Sequence, residues 1–175
     1  MITTKNERFF LCITRFNNAT FHENSRFREN KGISGCIYGS PNEFPSVIPR
    51  DGKVFVFELN NEVNEIMGIG FLYNRHDHRP LKIYNNCDYN RYCYKGKFRV
   101  DRSDLKEKDI EFLSNIEKCV FKGSTHQKRG HGFNRISEKN IIKLYENENI
   151  KPLVVLKWLR DIFVNYSQQS SINSI

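Results

Sequence analysis

The 175-residue sequence predicts a single α+β domain, a strongly curved and mainly antiparallel sheet or small β-barrel flanked by helices. Three observations lead there. Short runs rich in Val, Ile, Phe and Tyr, bounded by Gly, Pro and Asn, occupy the first part of the chain and read as strands. The last part carries helical start signals and helical apolar spacing. A hydrophobic fraction of 38% and an aromatic fraction of 13%, with 14 Phe and 8 Tyr, supply a core and exclude a disordered chain.

Arg8–Arg15, RFFLCITR, reads as a buried strand. Asn17–Asn30 is polar but broken by Phe21 and Phe27, which fits a short helix or a loop. Gly32–Gly39 reads as a second strand, and Pro41, Pro45 and Pro49 then bar a regular helix, with a turn at Pro49–Gly52. Lys53–Leu59, KVFVFEL, is the clearest strand and is apolar on both faces. Glu65–Tyr73 is the next, so the two form a hairpin at the sheet's centre, with Val54, Val56, Ile66 and Ile69 buried. Gly68 and Gly70 within it signal a bulge or a close backbone approach.

Leu81–Asn85 and Arg91–Val100 are two further strand candidates, the second alternating aromatic and basic residues. Ser103 reads as the cap of a helix running to Lys118, with Leu105, Phe112, Leu113 and Ile116 on its apolar face. Cys119–Phe121 is short enough to be a strand. A second helix is expected over Ser137–Glu146, through Ile141, Ile142, Leu144 and Tyr145. Pro152 starts a third, with a stripe of Leu153, Leu156, Leu159, Ile162, Phe163 and Tyr166. The domain is expected to span 1–166 and to leave 167–175 as a polar tail.

A net charge of +8 points to an anionic partner, nucleic acid first, then an acidic protein surface or anionic lipid. The five cysteines are an odd number without a CxxC pair, and Met1–Arg8 is polar rather than a secretory leader. Reduced thiols and an intracellular location follow as expectations, with no disulfide. No run is long and apolar enough for a membrane span.

The strongest functional signal is Lys122–Phe133, KGSTHQKRGHGF. From Lys118 to Ser137 there are five Lys or Arg, two His and no acid. Three glycines allow close backbone approach, and apolar residues at both ends tie the loop to a core. Such a loop suits phosphate, with Lys122, Lys128, Arg129, His131 and Arg135 as nucleic-acid-binding residues. The same loop carries the parts of metal-independent phosphodiester cleavage, His126 and His131 moving protons beside Lys128. A basic structural or interaction protein is a third class. The His76–Asp77–His78 run lacks further ligands at metal-site spacing, and no cofactor motif is present. Aromatics interleaved with basic residues suggest stacking platforms, Tyr38 and Tyr94 foremost.

The run Cys36–Leu72, CIYGSPNEFPSVIPRDGKVFVFELNNEVNEIMGIGFL, resembles the centre of PUA-like domains, especially the EVE and YTH branches. The resemblance implies a small barrel flanked by helices, with a pocket that reads a nucleobase. Carried onto this chain, that pocket falls on Tyr38, Gly39, Ser40 and Pro41, with Phe44 and Tyr94 beside it. The single tryptophan, Trp158, lies in the last helix rather than in that loop. The whole chain, with its KGSTHQKRGHGF run, also resembles a small protein family of large double-stranded DNA viruses, which implies an infected cell's cytoplasm or a virion.

Overall fold

The structure, a computed structural model, describes residues 2–4, 7–77, 79, 81–123, 126–136, 140, 143, 146 and 150–172, with side chains between 8 and 165 of these. Two strands open the chain, β1 (Ile2–Thr4) and β2 (Glu7–Phe16), followed by helix α1 (Asn18–Asn30). Strand β3 (Cys36–Ser40) precedes the hairpin of β4 (Lys53–Asn60) and β5 (Glu65–Tyr73). Short strands follow at β6 (His76–Asp77), β7 (Tyr92–Gly96) and β8 (Phe98–Asp101). Helix α2 (Glu107–Phe121), the two-residue β9 (Asn134–Arg135) and helix α3 (Pro152–Ile172) complete the described elements.

The strands form two sheets, not a closed barrel. The larger runs β1-β2-β4-β5-β8, with β9 beside β1 on the outer edge of β2; the smaller runs β3-β7-β6. All pairs are antiparallel except β2 with β4, which are parallel over eight register pairs from Phe9–Lys53 to Phe16–Asn60. The sheets are thus mainly antiparallel, as expected, with one parallel pair at the centre of the larger. The chain leaves the end of β2 through α1 and β3 and re-enters beside it, as parallel neighbours require a long crossover. The β4–β5 hairpin does sit centrally, and Val54, Val56, Ile66 and Ile69 are each fully buried.

Alternation along the central strands sends side chains into two cores. Phe9, Leu11, Ile13, Phe55, Phe57 and Leu59 meet α2 and α3 through Leu113, Ile116, Leu156 and Leu159. Phe10, Cys12, Val54 and Val56 face the small sheet through Ile37, Tyr38, Cys93 and Tyr94. Both faces of the large sheet are therefore covered, which is why KVFVFEL lacks polar alternation. Each buried side chain of this size contributes roughly 1.5–3 kcal/mol.

One buried polar cluster joins the sheets. Arg99 Nε and Nη2 donate to Glu58 Oε1 and Oε2 at 2.8 and 2.7 Å, and both side chains are 1% exposed. Tyr38 Oη donates to Glu58 Oε1 at 2.6 Å, and Asp101 holds Arg99 Nη1 at 2.5 Å. Burial alone would push the Arg99 guanidinium down, but the Glu58 charge and hydrogen bonds outweigh it and hold it above the usual arginine value. Between Phe57 and Leu59 the register shifts, with one more residue on β5 than on β4. The glycines there are required: a Cβ on Gly68 would lie 2.6 Å from Arg99 Nη2, and one on Gly70 2.2 Å from Tyr38 Oη. Bulge and close approach thus occur together.

Several local expectations change. Leu81–Asn85 is not a strand, because the Asn90 side chain takes the Ile83 and Tyr84 amides and returns its Nδ2–H to the Tyr84 carbonyl. Arg91–Val100 is two strands, since the chain leaves the small sheet after Gly96 and joins the large one at Phe98. Ser103 lies in a 3-10 turn; α2 starts at Glu107 and continues through Cys119–Phe121, which is its last turn rather than a strand. Asn140, Lys143 and Glu146 are helical, while Ile141, Ile142, Leu144 and Tyr145 lie outside the described residues. On α3, Leu153 is 58% exposed, whereas Val155 and Trp158 are buried, with Trp158 Nε1 donating to Asp109. Helix α3 runs on to Ile172, through the first part of the segment expected as a polar tail. All five cysteines are free.

Arg99→Met leaves the Glu58 carboxylate buried and unpaired, so urea unfolding should show a loss of about 3–5 kcal/mol. Gly70→Ala should also destabilise, and by less in a Tyr38→Phe background, because the hydroxyl it would strike is gone; a double-mutant cycle by urea unfolding reads the coupling. Burial pushes the Tyr38, Tyr84 and Tyr94 phenols up, Tyr94 to about 12. It also pushes the Cys12 and Cys36 thiols up, Cys36 to about 12. In the unfolded chain these groups ionise near their ordinary values of 9.0 for thiol and 10.0 for phenol. The folded state therefore holds more protons at high pH. Stability measured by urea unfolding should hold up to about pH 9 and fall progressively from there toward pH 12.

Candidate functional site

The basic run is fastened at both ends by apolar side chains. Val120 and Phe121 close α2 inside the helix-side core, and Ile136 returns to it, its amide donating to the Leu11 carbonyl at 2.9 Å. Phe133 plugs the other core, stacked on Phe44 at 4.0 Å and edge-on to Tyr38 and Tyr94 at 5.9 and 5.3 Å. Next to it Gly132 has φ 63° and passes so close to β3 that a Cβ would lie 2.5 Å from Ser40 Oγ.

Between these anchors the backbone is tied to the end of β2 and to the β4–β5 turn. Arg15 Nε donates to the Gln127 carbonyl at 2.6 Å, and the Gln127 amide donates to Val120 at 2.7 Å. Asn61 Nδ2 donates to the Lys128 carbonyl at 2.9 Å, and Lys128 Nζ donates to Asn64 Oδ1 at 2.5 Å. Asn61 itself is held by the Phe16 carbonyl at 2.9 Å.

These contacts shape a cleft of about 280 Å³ walled by Arg15, Asn61, Lys128, Gly130, His131 and the Tyr84–Tyr89 segment. Among the described residues no acidic side chain lines it. Arg15 lines it and was not singled out in the sequence, where it closes an apolar run like many flanking charges. Its guanidinium is partly buried, has no carboxylate partner among the described residues, and has its pKa lowered by that burial to about 10. Its Nη1 is buried without a hydrogen-bond partner, as is Asn61 Oδ1. The start of α1 borders the cleft but is already satisfied: Thr20 N–H donates to the Asn17 side chain and Asn18 N–H to Glu62.

Of the residues expected on the loop, Lys128 and His131 line the cleft, and Arg129 and Lys122 are exposed. Arg135 is half-buried in β9, opposite Cys12. His126 is exposed and does not line the cleft, so the two histidines of a cleavage mechanism are not brought together there.

The residues expected to form a base pocket, Tyr38, Ser40, Phe44 and Tyr94, are 1%, 0%, 6% and 1% exposed. Tyr38 serves Glu58, and Ser40 is turned onto Asn42, donating to its carbonyl at 2.5 Å. They pack the two sheets together. Phe44 and Tyr94 also line a separate cleft of about 300 Å³ with Arg50, Arg75 and His76. His76 packs edge-on against Tyr92 and Tyr94 and lies 3.8 Å from Glu43, while His78 falls outside the described residues. Among the described residues no cluster of His, Cys, Asp or Glu is arranged to hold a metal, and no helix is long and apolar enough to cross a membrane. No protein-family model, curated protein or solved structure matches this chain.

Proposed function

We propose that this chain is a nucleic-acid-binding module that takes the phosphate backbone on its Lys122–Arg135 loop and on Arg15 beneath it. The observation that carries this is Arg15: a partly buried guanidinium with, among the described residues, no carboxylate partner, in a cleft with Lys128 and His131 and no acid. A buried cation is costly unless paired, and a phosphate supplies the missing charge. The exposed Arg129 and Lys122 extend the same positive surface outward along the loop. The net charge of +8 favours encounter with a polyanion. A PUA-like assignment for the domain rests on the Cys36–Leu72 pattern, here with two facing sheets in place of a closed barrel.

Single- and double-stranded DNA and RNA titrated at two salt concentrations test it. If Arg15, Lys122, Lys128 and Arg129 each meet a phosphate, the log–log slope for duplex should be roughly −3 to −4. Lys128→Ala with Arg129→Ala should flatten that slope by about 2 and weaken all sequences alike. Unchanged affinity and slope in that double variant would remove the loop from the interface.

A further inference from the structure

Beside α3, the helix-side face of the larger sheet is left open at one end. Two register rows cross the sheet there: Phe9–Lys53–Tyr73 and, two residues inward, Leu11–Phe55–Phe71–Phe98. Residues paired in register share a face, so both rows point toward the helices. Phe163 of α3 packs on the inner row, its ring 5.6 Å from Phe55 and 6.4 Å from Phe71. Between it and the outer row runs a groove of about 430 Å³, reaching from Phe9 on β2 to Phe98 on β8. Its floor is apolar, and Tyr73, Phe98 and Val164 on its walls are 48%, 44% and 54% exposed. These are three of the seven large apolar side chains that the described residues expose, gathered in one place instead of scattered. Lys53 Nζ and the Arg160 guanidinium both stand over the Phe9 ring, 5.5 and 5.2 Å from its centroid, so positive charge sits at the β2 end. Among the described residues no acidic side chain lines the groove.

We infer that this groove docks an acidic amphipathic helix of a partner protein, its apolar side chains in the groove and a carboxylate on Lys53 and Arg160. A small-ligand site encloses most of its ligand, whereas walls half open to water call for a partner surface that covers them. The hollow between α3 and the sheet suits an inserted ridge of side chains rather than a flat bilayer. A second copy would bring the two cations against a chain with the same net charge of +8. The face itself favours a helix: α2 and α3 cover the rest of it, and a sheet buries its apolar face under a helix layer. From β2 to β8 there are three strand spacings, roughly 14 Å. Apolar residues at i, i+4 and i+7 of a helix span about 10.5 Å, which leaves the next turn for the acid. The cations orient the helix, and the aromatic walls hold it. The groove begins six residues before Arg15 on β2, about 20 Å away, and this docking does not rest on the nucleic-acid reading.

The test is selection of displayed random peptides of about 12 residues, slightly longer than the groove, against the full chain. The recovered peptides should be acidic, carry apolar residues at helical spacing, and gain helicity on binding, read by circular dichroism. Phe98→Asp should weaken them about tenfold. Should that variant fail to fold, Val164→Asp reads the opposite wall. Lys53→Glu with Arg160→Glu should also lose the peptides, and should instead bind versions with Lys in place of their acids. Recovery of no peptide, of peptides without the acidic apolar pattern, or of peptides indifferent to both wall variants overturns the proposal. Binding to phosphatidylserine vesicles that Phe98→Asp abolishes overturns it in favour of a membrane surface. Self-association in sedimentation that the same variant abolishes overturns it in favour of a second copy.

Discussion

The Glu58–Arg99 pair is the constraint on which the arrangement of the two sheets depends. It joins β4 to β8 across β5, and through Tyr38 it reaches β3 of the small sheet. An ion pair buried this deeply adds little net stability against an apolar replacement of the same shape, but leaving either partner alone is severely unfavourable. Its effect is on register. Sliding β5 by one residue would remove Gly68 and Gly70 from under the guanidinium and the phenol and put a Cβ into each. The hydrophobic pattern alone forbids such slips less sharply, because both faces of the central strands are apolar.

The same placement of the sheets builds the cleft. Tyr38 stands in the second core with Phe44 and Tyr94, and together they form the socket for Phe133. Phe133 in turn brings Gly132 against Ser40 and holds the basic loop over the end of β2. Arg15 would be an ordinary strand-end charge without that cover. With it, the guanidinium is desolvated, tied by one bond to Gln127, and left with an unused donor. The aromatic residues that looked like a reading surface thus act one step back, as the mounting for the loop.

Much of this was legible in the chain. The central hairpin, its buried residues, the anchored ends of the basic loop and the need for small residues at Gly68 and Gly70 follow from apolar runs and glycine positions. Local chemistry decides these, since a nine-residue apolar run between turns has few alternatives. Boundaries were less legible where a distant group took over the backbone. Asn90 caught Leu81–Asn85 before it could pair, and the change of sheet after Gly96 broke a run that is continuous in sequence.

By itself, the sequence determined the α+β class, the central hairpin and an acid-free basic loop tied at both ends. Only the tertiary structure decided which aromatics face solvent, that β2 and β4 run parallel, and that Arg15 and Asn61 meet Lys128 and His131 in one cleft. The physical reason is that exposure and charge pairing are properties of neighbours far apart in the chain. Arg15 and Gln127 are 112 residues apart. Nothing near either residue in the sequence marks the desolvated cation that their contact creates.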